Sequence, residues 1–239
     1  MIKIKSLSIL SLFFLIFFTA EGFSQKVGDK VNAVDENGKR HGNWKKYYKN
    51  GRLRYTGNFK NGKEVGIFMY FDMTNSDQPT IIKIFSENST IAKVEHQTSK
   101  GVLKSMGNMD GRNRVGKWKY FFPSGKVLSE ENYVNGKLEG LLVNYYPNGK
   151  VTEETYYKNG LKNGISKKYT DEGNLLEEVN YTANKPNGIA KFYDLKGNLK
   201  ETGNYKAGKR EGRWEFFVDG EAVSKKDKHN RKTHSIPKQ

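Results

Sequence analysis

The stretch KNGRLRYTGNFKNGKEVG, residues 49–66, holds two Asn-Gly dipeptides eleven residues apart. A near copy, PNGKVTEETYYKNGLKNG, returns at residues 147–164. Asn-Gly supplies positive φ at both central positions of a type I′ turn, whose twist matches that of the flanking strands. The segments between these turns are short, alternating and rich in Tyr and Phe, so they read as β-strands. One unit is therefore two strands and two hairpin turns.

Working outward, the unit repeats along the chain. Gly42, Gly66, Gly116, Gly140, Gly164, Gly188 and Gly212 mark the same position, and the intervals after Gly116 are all 24 residues. Gly66 to Gly116 spans 50, two repeats plus a two-residue insertion, with Ala92 at the missing mark. The fourth copy, GKWKYFFPSGKVLSEENYVNGKLEG at 116–140, places its turns at Ser124-Gly125 and Asn135-Gly136. A fixed period of this length signals stacked supersecondary units. The expected fold class is all-β: an elongated antiparallel meander of repeated β-hairpins over residues 25–223, in about eight repeats. About sixteen strands at ~4.8 Å spacing would span roughly 75 Å before curvature.

A two-residue loop at Asn50-Gly51 sets Tyr48 opposite Leu53 and Trp44 opposite Gly57. Alternation along strands then puts Trp44, Tyr48, Leu53 and Phe59 on one face, and Trp118, Tyr120, Phe122, Val127 and Tyr133 likewise. This more apolar face is assigned to the inside of the curve. The other face carries Tyr47, Phe71, Phe121, Tyr145, Tyr169, Tyr193 and Phe217, with Lys119 opposite Glu130 and Lys167 opposite Glu178. The rings Phe121, Tyr145, Tyr169, Tyr193 and Phe217, flanked by Lys119, Lys167 and Lys191, form the candidate partner-binding row. The competing expectation is a β-bulge that turns this row inward as ordinary core.

The third repeat is the weakest, with Val94 at the Trp position and Gln97 at the aromatic position. Residues 72–80, DMTNSDQPT, form a longer turn there, read either as tolerated drift or as a hinge or binding loop.

The first 24 residues read as a cleaved signal peptide: Lys3 and Lys5, an apolar run Leu7–Phe18, then Gly22-Phe23-Ser24 before Gln25. An uncleaved anchor is the alternative, although the run is short for a membrane span. Export to the periplasm, cell surface or medium follows from this reading. The chain has no Cys, which excludes disulfides, thiolate chemistry and a lipid-bearing N-terminal Cys. The formal charge is +16, and loss of Lys3, Lys5 and Glu21 with the leader leaves +15. That charge favours acidic partners. Nucleic acid is disfavoured, because the charge is spread over the repeats without a recognition motif. Residues 224–239 read as a solvated basic tail.

Catalytic signals are thin. His41, His96, His229 and His234 lack metal-ligand spacing, and His96 reads as a polar surface residue. Glu130-Glu131, Glu153-Glu154 and Glu177-Glu178 recur at nearly one phase, as a Lys-neutralised ladder rather than a singular acid–base pair. No glycine-rich segment precedes a helix. The expectation is a non-enzyme with no metal and no cofactor.

The phrases G-x-W-x-x-Y-Y-x-N-G and Y-x-N-G-K-x-x-G, as in GNWKKYYKNGRLRYTGNFKNGKEVG, resemble the MORN-repeat variant of bacterial proteins over about residues 28–223. The similarity is to the type carried by the YwqK-like family of toxin–antitoxin system antitoxins. The resemblance implies consecutive β-hairpins and partner binding, including neutralisation of a toxin, and it admits membrane lipid and a homodimer. Two functional expectations stand: an exported scaffold that docks a protein, or an envelope-surface protein that binds anionic lipid or polysaccharide through a Lys-rich sheet face.

Overall fold

The computed structural model describes residues 30–86 and 89–223; the expected leader and basic tail lie outside them. The described chain is all strand and turn. Its first half holds β1 (Gly42–Tyr47), β2 (Leu53–Lys60), β3 (Lys63–Phe71), β4 (Pro79–Phe85), β5 (Ile91–Gln97), β6 (Leu103–Asp110), β7 (Asn113–Phe121) and β8 (Val127–Val134). The second half holds β9 (Lys137–Leu138), β10 (Gly140–Tyr145), β11 (Val151–Lys158), β12 (Leu161–Tyr169), β13 (Leu175–Thr182), β14 (Lys185–Tyr193), β15 (Leu199–Lys206), β16 (Lys209–Val218) and β17 (Glu221–Val223). All 17 belong to one antiparallel sheet in chain order, with β9 and β10 both bonded to β8. The meander expected from the 24-residue period is what forms.

The two Asn-Gly turns of the opening stretch differ in geometry. At residues 61–62 the expected two-residue loop forms: Lys60 pairs with Lys63, and Asn61 and Gly62 have φ of 52° and 79°. At residues 50–51 the expectation is corrected. Tyr48 N–H donates to the Arg52 carbonyl and Gly51 N–H to the Tyr48 carbonyl, closing a three-residue loop in which only Gly51 is left-handed. A type I turn followed by a left-handed residue gives this loop, and a bulge accompanies it. Tyr47, not Tyr48, therefore pairs with Leu53, while Trp44 opposite Gly57 holds as expected. The same displacement sets Val127 opposite Phe121, Val151 opposite Tyr145, Leu175 opposite Tyr169 and Leu199 opposite Tyr193. The aliphatic column thus joins the face of the aromatic row, not the face of the tryptophans.

The repeat-marking glycines make a second bulge. Gly66, for instance, has φ of 66°, and the β2–β3 register slips between Thr56 and Asn58. Ala92 stands where such a glycine would, and the β4–β5 ladder runs unbroken from Ile81↔His96 to Phe85↔Ala92. A Cβ disfavours the left-handed backbone, so this repeat keeps regular pairing.

The core is a single file on the inner face. Phe68, Val94, Trp118 and Ala190 are wholly buried, and Ala92, Phe59, Val179, Thr155 and Ser166 nearly so. Ile81, Phe85, Met109, Tyr120 and Tyr133 pack against the cluster of Ala92, Val94 and Trp118. Large rings lie over glycine: Phe68 on Gly57, Trp118 on Gly107, Trp214 on Gly203. Where the glycine position is occupied by a β-branched residue, its partner is small: Thr155 faces Ser166 and Val179 faces Ala190.

Candidate docking surface

The outer face is built from a row of charges and a row of rings. Lys119 Nζ lies 2.8 Å from Glu130 Oε1, Lys167 Nζ 3.5 Å from Glu178 Oε2, and Lys191 Nζ 3.8 Å from Glu178 Oε1. Glu154 stands opposite Lys167 on the neighbouring strand. These pairs are partly exposed, so each contributes about 0.2–1 kcal/mol and acts chiefly on register. Lys119 is held above its usual pKa by its hydrogen bond to Glu130. In this row Lys119, Lys167 and Lys191 are matched by Glu130, Glu154 and Glu178.

The rings sit among these charges. Tyr145 Oη donates to Glu130 Oε2 over 3.5 Å and Tyr169 Oη to Glu154 Oε2 over 2.8 Å. Burial, then the Glu154 hydrogen bond, pushes the Tyr169 phenol up to about 12. Burial and the Glu178 charge raise Tyr193, with Lys167 opposing. Phe121, Tyr145, Tyr169, Tyr193 and Phe217 are all half-buried, neither core nor fully exposed. The bulge weighed in the sequence reading exists, but it moves the aliphatic column onto the rings and leaves the rings among the carboxylates.

Consecutive glutamates point to opposite faces, as strand alternation requires. Glu130 meets Lys119 outside, whereas Glu131 accepts a 2.5 Å bond from Tyr133 Oη on the inner face. Glu153 bonds Thr155 Oγ1 at 2.9 Å and Lys162 at 3.2 Å, while Glu154 faces Tyr169. Burial raises the Glu153 pKa, but Thr155 and Lys162 outweigh it and leave the carboxyl below its ordinary value. The adjacent carboxylates therefore share no site. Among the described residues no group of three or more His, Asp or Glu is placed to hold a metal ion.

The inner face holds a motif that the sequence reading passed over, Arg-x-Gly-x-Trp. Arg40, Arg114 and Arg210 stack on Trp44, Trp118 and Trp214 at 5.7, 4.7 and 4.0 Å from the ring centres. The spacing is legible at 40–44, 114–118 and 210–214. His96, expected as a surface residue, is instead half-buried: it stacks on Trp118 at 5.7 Å and its Nδ1 lies 3.0 Å from Ser105 Oγ. Burial, then Arg114, Lys104 and Lys83, lower its pKa. The loop between β3 and β4 borders a cleft of about 370 Å³ lined by Arg52, Thr74, Asn75, Ser76 and Asp77.

Set beside known proteins, five segments match the family model of the MORN repeat variant: residues 40–61, 114–135, 138–159, 162–183 and 186–207. These five segments are similar to MORN-type repeats, which in other proteins generally serve as binding scaffolds. No curated protein matches it significantly. No helix of the described residues is long and apolar enough to cross a membrane.

Proposed function

We propose that the chain is a non-enzymatic scaffold, exported after cleavage near Ser24-Gln25, that docks a protein partner through its outer face. The contact is assigned to Phe121, Tyr145, Tyr169, Tyr193 and Phe217, with Lys119, Lys167 and Lys191 as its polar flank. One observation carries this reading. The rings pair with Val127, Val151, Leu175 and Leu199 into a half-exposed apolar stripe bordered by neutralised charges. Half-buried aromatics with satisfied polar rims are good interface anchors, and their contacts do not depend on net charge. The matched lysines and glutamates argue against the sheet face as a polyanion site. The antitoxin resemblance extends the proposal to a toxic partner held inactive by docking.

The test is affinity capture from envelope extracts at low and high salt, with native chain and with Tyr145→Ser/Tyr169→Ser. A partner retained at high salt and lost in the variant supports the reading. Salt-labile capture, or capture unaffected by the variant, overturns it. Rescue of growth by co-expression with the captured partner tests the neutralisation step.

A further inference from the structure

The two ends of the sheet differ. At β1 the outer edge is covered: Asn32 N–H donates to the Asn43 carbonyl, Lys45 N–H to Asn32 Oδ1, and Trp44 Nε1 to the Ala33 carbonyl. At the other end β16 runs from Lys209 to Val218, yet β17 pairs only with Phe216, Phe217 and Val218. In β7 the same edge is filled, since β8 pairs along it from Gly116 to Phe121 and Gly136 N–H reaches the Arg114 carbonyl. Among the described residues nothing pairs with this edge of β16 over residues 209–215. Trp118 is wholly buried, whereas Trp214 at the open edge is only half-buried. A cleft of about 580 Å³ opens beside it, lined by Arg210, Gly212, Trp214, Phe216 and Val223.

The open stretch reads KREGRWE, and its two halves are complementary. An antiparallel copy laid against it, with Gly212 on the two-fold axis, sets Lys209 opposite Glu215, Arg210 opposite Trp214 and Glu211 opposite Arg213, each pairing occurring twice. The faces agree too. Arg210 and Trp214 share the inner face, where they already stack within one chain, and alternation puts the four flanking charges on the outer face. No other register pairs the whole stretch: a shift one way runs into β17, and a shift the other way carries residue 215 into the loop at Ala207-Gly208. Gly212 has φ of 66°, and nothing lies within 4 Å of where its Cβ would stand, so the axis is free of bulk. Lys209, Arg213 and Glu215 are exposed and have no ion-pair partner among the described residues.

We infer that two copies of this chain join through the open edges of β16, antiparallel about Gly212, so that one sheet continues across both. Charges on an edge strand discourage chance pairing. Charges matched about one residue admit a single partner in a single register. Continuing β17 along the same edge fits less well: it would match Lys228 with Glu211 but set Lys226 against Arg213. Because β1 is covered at the far end of each copy, the assembly closes at two and does not grow into a filament. The inference is independent of the protein-docking row, which lies on the outer face.

The test is sedimentation equilibrium of the chain as the cell produces it. A monomer–dimer equilibrium with Kd of about micromolar is expected of so short a pairing. Arg213→Glu and Glu211→Arg each bring like charges together, and each should weaken the dimer about tenfold or more. Their unfolding midpoints should stay close to the native one, since both sites are exposed. Mixed in equal amounts, the two variants should pair with each other, because every reversed charge then meets its opposite. Amide exchange over residues 210–215 should slow as the concentration rises. Tyr145→Ser/Tyr169→Ser should dimerise like the native chain. A native chain that stays monomeric, single reversals that dimerise as well as the native chain, or a mixture that fails to pair overturns the inference. So does edge protection that is independent of concentration, which would put the chain's own residues beyond Val223 there.

Discussion

Gly107 lies directly beneath the indole of Trp118, so close that a single added methyl would overlap the ring. The same relation holds between Gly57 and Phe68, where a Cβ would meet ring carbons at 2.5 Å. Thr155 with Ser166 and Val179 with Ala190 invert it, the bulk having moved to the other strand. In these pairs a large side chain on one strand is accommodated by a small residue on the next.

Exchanging the pair should therefore cost less than the sum of the two single changes. Trp118→Ala alone is expected to cost about 3–5 kcal/mol, and Gly107→Val alone about 1–3 kcal/mol through overpacking. The double variant, which copies Val179 with Ala190, should recover more than about 1 kcal/mol of the summed loss. A double-mutant cycle of denaturation midpoints measures this. Strict additivity would sink the volume-sharing account.

The loops offer a second comparison. Gly136 is the second residue of a type I′ turn, with φ of 78°, and its Cβ would lie 3.2 Å from Asn113 Oδ1. Gly111, φ 57°, opens its own two-residue turn with empty space around it. Gly136→Val is expected to cost roughly 1–3 kcal/mol, and Gly111→Val less, since strain acts there without crowding. Equal losses in chemical denaturation would contradict the contact with Asn113.

Alkaline pH should loosen the outer face. Tyr169 is raised to about 12 by burial and Glu154, and Tyr145 and Tyr193 are raised by burial and a neighbouring carboxylate. The folded chain holds these protons more tightly than the unfolded chain, where phenols titrate at about 10. Their contribution to stability is complete below pH 10 and is lost as the pH climbs through about 12. Phenolate absorbance followed beside circular dichroism checks this. Tyr169→Phe should flatten the loss, and an unchanged profile in that variant would count against the Glu154 bond as its source.

The ring row separates docking from packing. Tyr169 is half-buried and faces Leu175, so Tyr169→Ser should cost on the order of 1–2 kcal/mol, below the large-to-small range of a full core site. A loss equal to that of Trp118→Ala would make the row ordinary core and leave the docking proposal without its residues.

Much of this was legible in the sequence, because a 24-residue period and Asn-Gly dipeptides speak to strand order directly. Trp44 opposite Gly57, Lys119 opposite Glu130 and Lys167 opposite Glu178 all stand as read. Leu53 and Val127 were misplaced because an x-Gly dipeptide, Asn50-Gly51 or Ser124-Gly125, also closes a three-residue loop. Asn50 and Asn148 use their side chains to reach the Met73 and Asp171 carbonyls of the next hairpin, a contact across repeats that local patterning cannot show. His96 was misjudged for a similar reason: its neighbour in space, Trp118, is 22 residues away. The Arg-x-Gly-x-Trp spacing was visible, but the cation–π stacking that gives it meaning depends on the bulge at the intervening glycine.

Every strand of this sheet bonds to strands next to it in the chain, save that β10 reaches past the two-residue β9 to β8. Most β-proteins must close long loops before their strands can meet, and they fold slowly for that reason. Here each hairpin closes a loop of a few residues, and the next repeat adds to an edge already formed. The chain can therefore zip from any nucleus in either direction and begin to fold before its last residues arrive.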